Sequence, residues 1–190
     1  DPDAEHMNDL FRQITESGMN LAVMAHTSHP VEFSTDIAEA AIQRVRSTGA
    51  NIRMQSPLIK HVNDDPDTWA NLWQSGVELG CVPYYMFVER DTGARSYFEV
   101  PLARAYHIFT RAYRQVSGLA RTVRGPSMSA TPGKALIDGI AEVGGERVFV
   151  MKFLQGRNPD WVNRVFFAKF NPHACWLDDL EPAFGEDVFF

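Results

Sequence analysis

An α/β fold with parallel strands and crossover helices is what this chain predicts, and three observations predict it. Helix-period and strand-like segments alternate through the first two-thirds of the sequence. The helical segments carry start and stop residues where a helix needs them. After Gly118 the alternation ends, and two short apolar runs around Gly144-Gly145 read as a β-hairpin. Regular alternation implies parallel pairing, because each helix returns the chain to the start of the next strand. Three such units cannot close an eight-stranded barrel. The residues alone leave an open sheet, or one arc of a barrel whose other arc is absent.

The opening segment "DPDAEHMNDLFRQITESG" places Met7, Leu10, Phe11 and Ile14 on one side of a helix, and its end is followed by the short apolar "MNLAVMAH". "STDIAEAAIQRVRSTG" is the next helix, with Ser34 or Thr35 as cap and Gly49 as stop. "ANIRMQSPLI" is a strand. "NDDPDTWANLWQSGVELG" is a helix capped by Asp65, with Pro66 early and Gly80 past its end. "CVPYYMFVER" is a strand rich in aromatic and branched residues. "PLARAYHIFTRAYRQVSG" repeats Leu102, Ala105, Phe109, Ala112 and Val116 at helical spacing. The run "RGPSMSATPGK" then reads as an irregular loop, "KALIDGIAEVGGERVFVMKFL" as the hairpin, and the remainder as a loop-rich aromatic extension. Residues 1–123 and 124–190 form the two parts of this organisation.

The chain has 190 residues, 45% of them hydrophobic and 12% aromatic, enough for a substantial core. Its net charge of -6 argues against nucleic acid or an acidic membrane as the main partner. No apolar run approaches the ~20 residues of a membrane span, and the acidic start is no secretory signal. Cys81 and Cys175 form no CxxC pair. A cytoplasmic protein is the expectation.

Ligands of parallel α/β proteins lie at the carboxyl ends of the strands. His26 and His29 end the first strand, Gln55 and Ser56 lie in the second, and Glu89 and Arg90 end the third. The HxxH spacing of His26 and His29 lacks further metal ligands, so either a hydrogen-bonded histidine or a ligand-contacting imidazole fits. Gln55 amid apolar neighbours needs amide partners, in the protein or in a ligand. Arg90 could pair with a carboxylate or phosphate, or simply be solvated. Lys134 is the strongest single candidate. A cationic side chain in a Gly/Pro/Ser run is either a loop lysine or an amine presented for Schiff-base chemistry.

Several segments, in order, resemble the lysine 2,3-aminomutase family, the pyridoxal phosphate-dependent radical S-adenosylmethionine enzymes: "HTSHPVEFS", "NIRMQSPLIKHVNDDP", "LGCVPYYMFVERDTG", "YFEVP", "SGLAR" and the "PGK" segment. The resemblance runs over residues 22–139. It implies the later half of a partial (βα) TIM-like barrel, followed by the hairpin and irregular extension. It implies an isomerase that moves an amino group within a small-molecule amino-acid substrate. Lys134 falls at the family lysine that bonds to pyridoxal phosphate, and His26 and Gln55 at positions associated with S-adenosylmethionine. The CxxxCxxC loop that holds the [4Fe–4S] cluster is not in this sequence. The expectation is therefore a piece of a larger enzyme, inactive alone, with cluster ligands and the N-terminal half of the barrel elsewhere, no metal site of its own, and a tendency to self-associate as a homo-oligomer.

Three departures matter. Lysine-specific members place carboxylates at the positions of Arg90 and Ser127, and some carry a zinc-binding cysteine where Asp65 stands. A unit charge pair at about 4 Å is worth roughly 4 kcal/mol at an effective dielectric near 20. A substrate with an anionic or neutral distal group is expected in place of lysine. Two other readings remain beside this one: a stand-alone half-barrel that binds a phosphate-bearing small ligand, and a family member with different radical chemistry.

Overall fold

Capping residues set the helix boundaries in the structure, a computed structural model that describes residues 4–90 and 94–190. The elements are α1 (Glu5–Glu16), β1 (Ala22–His26), α2 (Asp36–Arg46), β2 (Asn51–Leu58), α3 (Pro66–Glu78) and β3 (Val82–Val88). A single helical turn, α4 (Arg95–Phe98), precedes α5 (Leu102–Gln115). Four strands follow: β4 (Arg124–Ala130), β5 (Gly133–Val143), β6 (Glu146–Gly156) and β7 (Val165–Lys169). Thr35 accepts a hydrogen bond from the Ala38 amide at the start of α2, and Asp65 accepts one from the Thr68 amide at the start of α3. Each satisfies an amide that the first helical turn leaves without a partner.

All seven strands join one sheet in chain order, β1 to β7. β1 to β4 pair in parallel, and β4 to β7 pair antiparallel. The parallel strands are separated in sequence by α2, α3 and α5, as crossover connections require. Alternate residues of each strand face opposite sides. Ile52, Met54, Leu58 and Met86 pack against Trp69 and Trp73 of α3 and Ala105 and Ile108 of α5. A second apolar cluster gathers Met128, Ala135, Ile137, Phe149, Met151 and Phe166 under Leu102. The opposite side of β1 to β3 carries Met24, His26, Arg53, Gln55, Pro57 and Phe87, which are exposed or half-buried. One side of the parallel strands is packed and the other is open.

Two sequence expectations are corrected. The run at 124–134 is strand, not irregular loop: β4 occupies most of it, and Lys134 is the second residue of β5, paired with Ser129 and Gln155. Gly, Pro and Ser are poor strand formers, but β4 lies between two other strands and is buried over 125–128, so its surroundings override propensity. Pro126 has no N–H to donate, and β4 pairs with β3 only at Tyr85–Arg124 and Phe87–Ser127, with a register shift between. A Cβ on Gly125 would stand 2.7 Å from the Met86 carbonyl oxygen, so only glycine allows the strands to approach there. The second correction concerns the extension. "RVFFAKF" contains β7, whose Phe166 and Ala168 are buried in the second cluster. Phe190 closes on Trp161 and Phe153, with ring centroids 4.4 and 5.1 Å apart. The tail packs into the core.

Among the described residues, no helix is long and apolar enough to cross a membrane.

Candidate functional site

Register brings the candidates into one row. His26 pairs with Gln55, Gln55 with Tyr85, and Tyr85 with Arg124, across β1 to β4. The Gln55 Nε2 atom lies 3.0 Å from His26 Nε2. The contact ties the two side chains together and leaves the His26 Nδ1 atom and the Gln55 Oε1 atom for other partners. His29 is used differently: its Nδ1 accepts from the Val31 amide at 3.2 Å and caps the 3-10 turn Pro30–Phe33.

An aromatic and cationic group continues the row. The pairing of β2 with β3 shifts between Met54 and Gln55, leaving Tyr84 as an extra residue. Tyr84 and Tyr85 meet edge to face at 4.4 Å, and Tyr85 stacks on Phe87 at 5.0 Å. The Arg124 guanidinium carbon lies 4.4 Å from the Tyr84 ring centroid and 4.5 Å from that of Tyr85. Arg53 lies 5.1 Å from Tyr84 on its other strand neighbour. Such contacts draw on the negative face of the ring. Lys134 Nζ sits 4.2 Å from the Tyr85 centroid and 5.1 Å from that of Phe87. Its amine is held below the ordinary lysine value, chiefly by burial, with a smaller push from the Arg124 charge that Tyr84 opposes. Burial also pushes the Tyr85 phenol up.

Two grooves open at the strand ends. One of about 380 Å³ is lined by His26, Pro57, Phe87, Arg90 and Ser129 among others. The other, about 310 Å³, is lined by Lys134, Gly133, Gln155 and Arg157, and again by Ser129. The structure thus brings His26, Gln55, Arg90 and Lys134 to one side of the sheet. It does not bring Ser127 to either groove. That side chain is fully buried, and its hydroxyl donates to the Met86 carbonyl at 3.4 Å. Ser129, one strand repeat further on, occupies the place expected for Ser127.

Sequence reasoning missed four more contributors. Arg124 and the tyrosine pair were visible as residues, but only strand register puts them around Lys134. Asn63, inside "VNDDP", is 1% exposed and ties the strand-end loops together. Its Nδ2 donates to the Ser28 carbonyl at 2.9 Å and the Pro57 carbonyl at 3.0 Å, and its Oδ1 accepts from the Ile59 amide at 2.7 Å. An asparagine followed by a capping aspartate looks like any polar turn until the partners are seen.

No protein-family model matches the chain. A curated protein of Aquifex aeolicus described as a putative L-lysine 2,3-aminomutase is 32% identical over 172 residues, which is 90% of this chain and 44% of that protein. The chain is a family relative of the lysine 2,3-aminomutases. The L-lysine 2,3-aminomutase of Escherichia coli is 26% identical over 68% of the chain and 37% of its own length. That of Haemophilus influenzae is 24% identical over 65% of the chain and 36% of its own length. The chain therefore spans less than half the length of these aminomutases.

Proposed function

We propose that this chain is the later part of an amino-acid aminomutase of the radical S-adenosylmethionine type, with Lys134 as the attachment point of pyridoxal phosphate. The observation that carries the reading is the position of the Lys134 amine. It lies over Tyr85 and Phe87, on the same open sheet face as the His26–Gln55 pair, with Ser129 lining the groove on either side. The strand order supports a barrel arc. Consecutive parallel neighbours joined by helical crossovers, with α3 and α5 packed on one side and the other side open, match an arc with an inner wall.

The residues fit two of the three groups that such an enzyme uses. A partly desolvated amine and flat aromatic surface suit a pyridine ring carrying an aldehyde, and Arg157 supplies a cation for its phosphate. When bound, pyridoxal phosphate supplies a conjugated ring that stabilises charge or an unpaired electron next to the amino nitrogen. Lys134 holds it in place, and the Tyr85 and Phe87 rings orient the amine and exclude water. His26 and Gln55 offer a ring nitrogen and an amide oxygen for the polar parts of S-adenosylmethionine. The iron–sulfur cluster does not fit: Cys81 is buried on the helix side, and Cys175 lies in the C-terminal segment. Its ligands would come from elsewhere in the whole protein.

Borohydride trapping tests the reading. Pyridoxal phosphate is added to the protein, the adduct is reduced, and peptides are weighed. Covalent modification is expected on the peptide containing Lys134 and is expected to vanish in Lys134→Ala. Modification spread over surface lysines and unaltered by that change would overturn the assignment.

Arg90 sets the substrate preference. Its side chain is exposed at the groove, so water screens it, and its effect on a distal ammonium falls from roughly 4 to about 1 kcal/mol. In the whole protein, Arg90→Asp is expected to improve kcat/KM for lysine about fivefold relative to an acidic amino acid. A loss of lysine turnover in that variant would refute the assignment.

A further inference from the structure

Tyr85 is approached by two cations. Arg124 stands beside it in the strand pairing, and Lys134 reaches it from β5. Among the described residues, no carboxylate forms an ion pair with either. Each cation gains from the ring face, but the two repel one another across it. Only one of them can relieve that repulsion. A guanidinium keeps its proton at any ordinary pH, whereas a lysine amine can give its proton up.

We propose that Arg124 is a positioning residue whose fixed charge beside Tyr85 favours the free-amine form of the Lys134 side chain at the groove it lines. The inference rests on the reading of Lys134 as the attachment point, and it adds a neighbour that assists burial in making the amine nucleophilic. The guanidinium is itself fixed by lying on both Tyr84 and Tyr85, so its charge is held at a set place. The groups facing Lys134 are Tyr84 and Tyr85 from β3, Arg124 from β4, and Arg157 after β6. Arg124 acts in the direction that favours the neutral amine, along with burial, and Tyr84 acts against both. Arg53 lies on Tyr84 alone, which makes it the internal control.

The test reads the amine without any coenzyme. The protein is labelled with trace acetic anhydride across a pH series, and mass spectrometry follows the peptide containing Lys134. The rate rises with the free-amine fraction, so its midpoint reports the titration. In the unmodified protein that midpoint is expected below the ordinary lysine value of 10.5. Arg124→Gln is expected to raise it and to slow labelling at pH 8 severalfold, while Arg53→Gln leaves it unchanged. An unshifted midpoint in a folded Arg124→Gln protein would overturn the proposal, as would an equal shift from Arg53→Gln. Should Arg124→Gln fail to fold, salt replaces it. Raising the ionic strength of the unmodified protein is expected to raise the midpoint by screening the Arg124 charge, and a midpoint indifferent to salt would count against the proposal. Borohydride trapping separates the two ideas, because Lys134 can bond to pyridoxal phosphate whether or not Arg124 sets its titration.

Discussion

Asn63→Ala is expected to lower the stability of the chain by on the order of 3–5 kcal/mol. The side chain is buried, and its loss leaves the Ser28 and Pro57 carbonyls and the Ile59 amide without this partner. A buried polar group without a partner costs about 1–3 kcal/mol; the Ser28 carbonyl and the Ile59 amide become such groups together, while the Pro57 carbonyl keeps the Ser56 hydroxyl at 3.3 Å. The damage falls at the site. Ser28 follows β1 two residues after His26, and Pro57 lies in β2 two residues after Gln55, so the loops that align this pair are no longer tied. Urea unfolding checks it: the midpoint should fall with little change in slope. A loss below about 1 kcal/mol would mean that water replaces all three bonds, and the network would then not hold the strand ends together.

Gly133→Ala is expected to be nearly as severe, and to remove Lys134 from its place. A Cβ at this position would lie 2.2 Å from the Gln155 carbonyl oxygen and 2.9 Å from the Gly156 Cα. Both are backbone atoms, so no side chain can turn aside, and β5 must part from β6 where the lysine follows. The cost is on the order of 3 kcal/mol. Gly144 supplies the comparison: its φ is 60° and nothing lies within 4 Å of an added Cβ, so alanine there meets only the backbone penalty of about 1–2 kcal/mol. Gly133→Ala should also abolish borohydride trapping at Lys134, whereas Gly144→Ala should preserve it. Equal stability losses in the two variants would show that close packing at Gly133 is not what sets the strand.

Much of the parallel half was legible because its signals are local. Thr35 and Asp65 cap the helices they were expected to cap, and the hairpin turns at Gly144-Gly145. His26 and Gln55 were suspected as strand-end residues, and they do meet. The residues at 124–134 were misread because their propensities are weak. What makes them strands is burial between neighbours distant in sequence, and a 3.6- or 2-residue period cannot report that. The surroundings of Ser127 were illegible for a related reason: its family position says nothing about whether this backbone turns the hydroxyl toward a groove or toward Met86.

Periodicity, caps and turn residues by themselves determined the order of the helices and of the first three strands and the parallel pairing of those three, because these depend on contacts a few residues apart. The side chains that surround Lys134 were decided only by the tertiary structure. Tyr85, Arg124 and Lys134 come together through two strand registers and one shift in pairing. A register is a choice among pairings that local sequence leaves nearly equal, and burial of the packed sheet face makes that choice.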